Sequence, residues 1–499
     1  MQEKLNELKA ILAEVHDLNK AASVLSWDQQ TYMPRAGAEA RGQQMGTLGK
    51  IAHEKFTSDR VGKLLEELKE AYHPESDEFA LIKVTRREYD KRTRVPSEFV
   101  AEQAEVTAAA HEGWVEARSK SDFSIFEPHL ARVMDLTRRY IGFFPKADHP
   151  YDTLLDDYEP GMKTADVQAI FAELRKKQVR LIQAIAEKKQ VDDSFLHLKF
   201  SEAKQRAFGE KVITTFGFDW NRNRQDKAPH PFCTSFGIND VRITTRFNEK
   251  FLNPAIFGTM HETGHAFYEG GLNPSFDRTP LADGASLGVH ESQSRMWENL
   301  VGRSLPFWEH FYPELQKTFP SQLGNVKLQN FYKAINKVEP SLIRVEADEA
   351  TYNMHIMLRL EIEIAMVEGA VALKDMPELW NAKMKEYLGT QSVPPNDALG
   401  VLQDIHWSFG GLGYFSTYAL GNLISAQLWE KINAEITDLS TQIRAGKFDA
   451  LLGWLRANIH VHGRKYEPQE LVQKVTGSRI NPAPYLRYLE TKFSDVYGL

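Results

Sequence analysis

Apolar and polar positions along the chain repeat mainly with a helical period. Leu5, Leu8, Ile11, Leu12, Val15 and Leu18 recur at spacings of three and four, the stripe of an amphipathic helix. Trp27-Asp28 and Pro34 are expected to break it. Further helical patterns lie near 35–55, 59–72, 76–91, 97–120 and 124–144. No heptad persists through them, so they read as a bundle wall rather than a coiled-coil arm. Asp148-His149-Pro150 is a turn, and Asp156 to Gly161 is an acidic loop, read as solvated, before a helix from about Thr164 to Lys188. The periodicity changes once, between about 195 and 250. There Val241, Ile243, Thr245 and Phe247 alternate with Arg242, Thr244 and Arg246, a period of two, with a turn at Gly237 to Asp240. This predicts a hairpin. Its edge could pair with an extended peptide or close the end of a helical core, and the pattern does not choose. Helical patterns resume at 253–270, 288–302, 337–368, 377–388, 420–434 and 448–458, with a glycine-rich connection over 400–413. No repeat or linker marks a boundary. The pattern therefore predicts a mainly α chain, one domain over 1–499, with an N-terminal helical wall at about 1–145 and a core at about 146–499.

The chemistry concentrates in His261-Glu262-Thr263-Gly264-His265. Asn253 as a cap and Pro254 in the first turn predict a helix start, and Gly270-Gly271 a stop. Two histidines four apart leave one helix face, one turn apart, the reach needed to hold a zinc ion at about 2.0–2.1 Å. Glu262 points roughly 100° away from His261. It is placed to take a proton from a water activated by the metal rather than to ligate. Such a motif arises by chance in some chains of this length, and His111-Glu112 is a fragment of that kind. A third ligand is required, and Glu291 in His290-Glu291 supplies it from the next helical pattern. Two histidines and a distant glutamate, one ion per chain, form the open set of a catalytic zinc site. His290, one position away, turns from the metal and reads as a hydrogen-bonding or core residue. His355, His460 and His462 have no partner at ligand spacing and read as structural.

Composition narrows the partners. Of 499 residues, 42% are hydrophobic and 26% charged, an ordinary soluble balance. The net charge of −7 without any basic run argues against nucleic acid. Cys233 is the single cysteine, which fits a reducing compartment and leaves no thiol cluster to compete for the metal. Met1 to Lys20 has no apolar signal region, and no run is long enough to span a bilayer, so a cytoplasmic protein without a membrane partner is expected.

Several segments, in order, carry a resemblance: His230-Pro231-Phe232, Asp240-Val241-Arg242-Ile243-Thr244, His261 to His265, His290-Glu291-Ser292-Gln293, Ile343-Arg344-Val345-Glu346-Ala347-Asp348, and Gly400 through Trp407. Asp157 to Met162 and Asn458 to Arg464 belong to the same set. Together they resemble the carboxypeptidase Taq family of zinc metallocarboxypeptidases over nearly the whole chain. The resemblance implies a helical, saddle-like fold with a deep groove, usually a homodimer. It implies removal of single C-terminal residues from peptides with a free C-terminus, with broad specificity that excludes proline near the scissile bond. Cobalt is a possible substitute for zinc. It assigns His261, His265 and Glu291 to the metal and Glu262 to the catalytic water, places Arg242 and His230 in the groove wall, and raises His406 and Tyr414 to transition-state donors, with Tyr418 in reserve. Read alone, His406 and Tyr414 in a glycine-rich frame would be a packed histidine and a packed phenol.

An exopeptidase must also hold the substrate's terminal carboxylate, and arginine does so with two parallel hydrogen bonds. Arg344, read as lying on the long 337–368 helix, is the first candidate and Arg242 the second. A helical ion pair between Arg344 and Asp348, four apart, is the competing role. Two other functions stay open: an oligopeptidase or dipeptidyl carboxypeptidase with the same zinc chemistry, and a catalytically inactive helical scaffold, which the intact Glu262 speaks against.

Overall fold

The structure is a computed structural model that describes residues 1–499. Helices dominate. In chain order they are α1 (Gln2–Thr31), α2 (Ala38–Phe56), α3 (Asp59–Leu68), α4 (Asp77–Arg94), α5 (Ser97–Lys120), α6 (Phe123–Gly142), α7 (Pro150–Leu155), α8 (Thr164–Ala186), α9 (Glu202–Phe216), α10 (Asn253–Gly270) and α11 (Leu287–Arg295). They continue as α12 (Leu305–Thr318), α13 (Pro320–Leu323), α14 (Leu328–Ile335), α15 (Tyr352–Glu368), α16 (Met376–Leu388), α17 (Ser416–Glu435), α18 (Leu439–Arg444), α19 (Asp449–Asn458), α20 (Pro468–Thr476) and α21 (Ala483–Tyr497). A π-helical turn, Met296–Val301, extends α11. No helix is long and apolar enough to cross a membrane.

The chain divides into two compact units. The first comprises Met1–Thr93, Asp192–Ile335 and Leu428–Arg479. The second comprises Arg94–Val191, Asn336–Gln427 and Ile480–Leu499. Neither follows a boundary at residue 145.

In the first unit, the stripe read from the N-terminus is real. Leu5, Leu8, Leu12 and Val15 pack with Phe56, Val61, Leu64, Leu65 and Leu68 in one apolar cluster that also takes Phe276 and Leu281. The expected break at Trp27-Asp28 is absent. α1 continues to Thr31, with Trp27 buried, and stops only before Pro34. The single sheet also lies here, in the order β1-β3-β2. The predicted hairpin is β2 (Cys233–Gly237) against β3 (Asp240–Thr245), antiparallel, and Phe247 falls beyond its end. β1 (Asn223–Lys227) runs parallel to β3 and has no apolar pattern to betray it. Its buried Gln225 donates to Thr259 Oγ1 at 3.0 Å, and its buried Asp226 accepts two bonds from Arg224. Tertiary partners, not β propensity, make this a strand.

In the second unit, the predicted helix over 337–368 is only half formed. α15 begins at Tyr352, and residues 336–351 are irregular apart from a short 3₁₀ turn at Arg344–Glu346. Asp348 explains the delay. Its carboxylate accepts from the backbone N–H groups of Glu339, Ala350 and Thr351 and from the Thr351 hydroxyl, tying the irregular approach to the residues just before the helix starts.

Candidate metal centre

α10 and α11 present the cluster in the first unit. Pro254 sits in the first turn of α10, as expected, but Asn253 does not cap it: Leu252 holds the cap position and no side chain bonds the first N–H groups. Ser286 caps α11, accepting from Val289 N at 3.0 Å. The two helices come into near contact at Gly264, where a Cβ would lie 2.5 Å from the Gln293 carbonyl oxygen and 2.6 Å from Ser294 Cα. A glycine inside a helix costs about 1 kcal/mol relative to alanine. Here it is what admits the second helix, and with it Glu291.

One ligand atom from each of His261, His265 and Glu291 lies within 4.8 Å of the others. Glu291 Oε2 is 3.6 Å from His261 Nε2 and 3.5 Å from His265 Nε2. Ligands at about 2.0–2.2 Å around a tetrahedral ion stand roughly 3.4 Å apart, so the residues fit a metal of that kind. The outer ring nitrogens are engaged. His261 Nδ1 is 2.9 Å from Glu298 Oε2, and His265 Nδ1 is 2.6 Å from His290 Nδ1, whose Nε2 lies 2.8 Å from Glu269 Oε1. With Nδ1 donating outward, each Nε2 keeps its lone pair directed inward. Of the two roles its position left open, His290 takes the hydrogen-bonding one.

The electrostatics favour a cation. Burial would raise the Glu291 carboxyl, but Arg295, then His261 and His265, hold it well below the usual range. Arg295 donates to Glu291 Oε1 at 2.7 Å and to Glu298 Oε2 at 3.2 Å. Burial pulls His261 down, yet Glu291, Glu298 and Glu262 raise it to about 9. Glu262 is itself buried and is raised to about 7, by burial first and by repulsion from Glu291 and Glu298, with His261 opposing. A carboxyl poised there suits a general base near neutral pH, and a cation beside it would draw it lower.

The remaining predicted residues fall into two groups. Arg242, on β3, pairs with Asp240 at 3.0 Å, and its guanidinium stands over the Trp27 and Phe236 rings at 4.4 and 4.6 Å. His230 is exposed in the loop before β2. β2 is an edge strand, with Lys20 Nζ donating to the Ser235 carbonyl at 3.0 Å.

Arg344, His406 and Tyr414 come together in the second unit. Arg344 lies in the short 3₁₀ turn before α15, not on the expected α-helix, and makes no pair with Asp348. It is buried, with Nη2 at 2.9 Å and Nε at 3.0 Å from Asp404 Oδ1, and Nη1 donates to Tyr352 OH at 3.0 Å. Arg359, fully buried, binds the other oxygen, Nε to Oδ2 at 2.7 Å. Two guanidiniums therefore share one carboxylate. Burial opposes the charge on both. Asp404 outweighs it for Arg344, which is raised, but not for Arg359, which is lowered and also repelled by Arg344. Both remain cations. His406 packs against Tyr414, ring centroids 5.2 Å apart, and Tyr414 against Tyr158 and Tyr418. Burial first, then the two arginines, bring His406 down to about 4 against the pull of Asp404, so it is neutral at pH 7.

Sequence reading missed Glu298, Arg295, Asp404 and Arg359. Glu298 and Arg295 carried a signal, since both follow Glu291 at helical spacing on one face. Asp404 and Arg359 carried none, because only the tertiary fold joins them.

A helical metallopeptidase with a His-His-Glu centre is the class these features define. The family model for carboxypeptidase Taq (M32) metallopeptidases matches residues 7–493, and the chain belongs to that family. It is 43% identical to thermostable carboxypeptidase 1 of Thermus thermophilus over 96% of both chains, and 37% identical to carboxypeptidase 1 of Bacillus subtilis over 98% of both. Among solved structures, an M32 carboxypeptidase from Deinococcus radiodurans is 39% identical, covers 100% of both chains and superposes with a TM-score of 0.97. The chain is accordingly a metallocarboxypeptidase.

Proposed function

We propose that the protein is a zinc-dependent carboxypeptidase of broad specificity that releases single C-terminal residues from peptides. The observation that carries this is the convergence of two imidazole nitrogens and the Glu291 carboxylate beside a buried Glu262 that is not part of the ligand set. His261, His265 and Glu291 would hold the ion. Zinc there would supply a Lewis acid and lower the pKa of a water to about 7. Glu262 accepts a proton from the attacking water and, as the C–N bond breaks, returns it to the leaving nitrogen. His406, as a neutral imidazole, and the Tyr414 phenol donate to the oxygen on which negative charge develops. Arg344 takes the terminal carboxylate. Its support is the charge balance at Asp404, where two buried guanidiniums meet a single carboxylate and leave an unmatched positive charge. Arg242 and His230 are assigned to the walls that accept the rest of the peptide. A cytoplasmic homodimer completes the reading, to be checked by sedimentation of the purified protein.

The test compares a free-acid peptide with its C-terminal amide, with products weighed by mass spectrometry. Single-residue ladders and a preference for the acid of about 10–150-fold are expected, the equivalent of a charged hydrogen bond of roughly 1.5–3 kcal/mol. Arg344→Ala should lose most of that preference and keep its metal. Dipeptide products would replace this reading with a dipeptidyl carboxypeptidase, and internal fragments with an oligopeptidase.

A further inference from the structure

We propose that Glu363 is a positioning residue for the reaction: it fixes the segment between His406 and Tyr414 from both ends and so sets where these two donors stand. This rests on the donor reading above. Glu363 lies on α15 and is fully buried. Its Oε1 accepts from Trp407 Nε1 at 2.9 Å, next in sequence to His406. Its Oε2 accepts from Gly413 N at 2.9 Å, next in sequence to Tyr414, and from Tyr151 OH at 2.6 Å. Gly413 is also pinned from its other side. Its φ of +93° suits glycine, and a Cβ there would lie 2.6 Å from the Leu154 carbonyl oxygen, on the same short helix α7 that supplies Tyr151. The segment is therefore clamped between α15 and α7 through a single side chain.

The chemistry of that side chain is matched to the task. Three donors face two carboxylate oxygens, and no cation forms an ion pair with them. A carboxylate accepts from every direction, whereas an amide must turn an NH₂ toward a group that itself donates. Burial drives the Glu363 carboxyl up to about 7, against the hydrogen bonds from Tyr151, Gly413 and Trp407. Packing alone would be served by an apolar residue at this position. A buried acid bonded to the two residues that flank the donors is explained by the need to hold them.

The experiment uses the metal-replete enzyme and a free-acid peptide, with Glu363→Gln, Tyr414→Phe, His406→Ala and the double variants. Glu363→Gln should lower kcat about 10–100-fold, the cost of misplacing a reacting group by about 1 Å, with KM changed less than about threefold and metal content retained. Because Glu363 acts through the donors, each double variant should be no more than about threefold slower than its slower parent. If Glu363→Gln does not fold, Tyr151→Phe deletes one donor and keeps its ring, and Trp407→Phe deletes another while leaving a smaller aromatic ring in its place. Each should then lower kcat about 3–10-fold, since one of three hydrogen bonds to Glu363 is lost and two remain. Losses that simply multiply in the doubles, or an unchanged kcat in Glu363→Gln, would overturn the proposal and leave the donor reading standing. Silent Tyr414→Phe and His406→Ala would overturn both.

Discussion

The two buried charge clusters carry opposite surpluses. Around His261 and His265, once both imidazoles are neutral as metal binding requires, the carboxylates Glu262, Glu291 and Glu298 outnumber Arg295 and Arg303, so acid exceeds base. Around Asp404, the guanidiniums of Arg344 and Arg359 meet one carboxylate, so base exceeds acid. Burying unmatched charge is expensive, and a ligand of the other sign would relieve each surplus. On the proposed function the first cluster would take a metal cation and the second the carboxylate of a substrate. The difference also separates their roles in stability. Removing an acid from the first cluster relieves crowding, whereas removing Asp404 strips two buried cations of their only carboxylate.

The sharpest break of this comparison is at the ligands themselves. His261→Ala, His265→Ala and Glu291→Ala should each lose bound metal and activity together, while retaining the fold, because a core of this size does not depend on an ion. Elemental analysis decides it, and full occupancy in Glu291→Ala would remove Glu291 from the set. Glu262→Gln should separate binding from chemistry: metal retained, turnover down by at least about 10²-fold. Near-normal turnover in a metal-replete sample would end Glu262's assignment as the base.

Asp404→Asn is the matching break in the second unit. We expect about 3–5 kcal/mol of destabilisation in urea at pH 7, the usual cost of leaving buried charge without its partner. The pH dependence follows from the sign of the shift. Burial would raise Asp404, but Arg359 and then Arg344 hold it well below the usual carboxylate range, so its stabilisation is present above the unfolded value of about 3.9 and is lost as pH falls through the folded one. The gap between wild type and variant should therefore stay constant from pH 5 to 8 and close only in strong acid. A gap that closes near neutrality would mean that a group other than Asp404 is titrating.

A smaller effect sharpens the first cluster. Glu298→Gln keeps an acceptor for His261 Nδ1 but removes its charge. It should weaken metal binding by about 10–100-fold, as loss of an outer partner does, without displacing a ligand. Competition with a chelator measures it, and unchanged affinity would make Glu298 merely a counter-ion to Arg295.

The two clusters were unequally legible, for a physical reason. Helical spacing is a local rule, so His261, Glu262 and His265 could be placed on their helix from sequence alone, and Glu291 on the next. The hairpin was legible because β3 alternates. β1 was not, because its polar Gln225 and Asp226 are satisfied by Thr259 and Tyr32 from distant positions, with Arg224 of the same strand completing the set. The helix expected over 337–351 failed because Asp348 satisfies local N–H groups in a competing turn, an option that periodicity does not register.

The sequence by itself thus determined the helical class, the ligand types and their local spacing, and the family to which the chain belongs. The tertiary structure decided what those residues meet. It brought α11 against Gly264 so that Glu291 joins His261 and His265, turned each outer imidazole nitrogen to a partner, and gave Arg344 to Asp404 rather than to Asp348. Spacing along a chain fixes which side chains share a face. Which faces come together, and which charges are left unmatched when water is excluded, is set only when the whole chain packs.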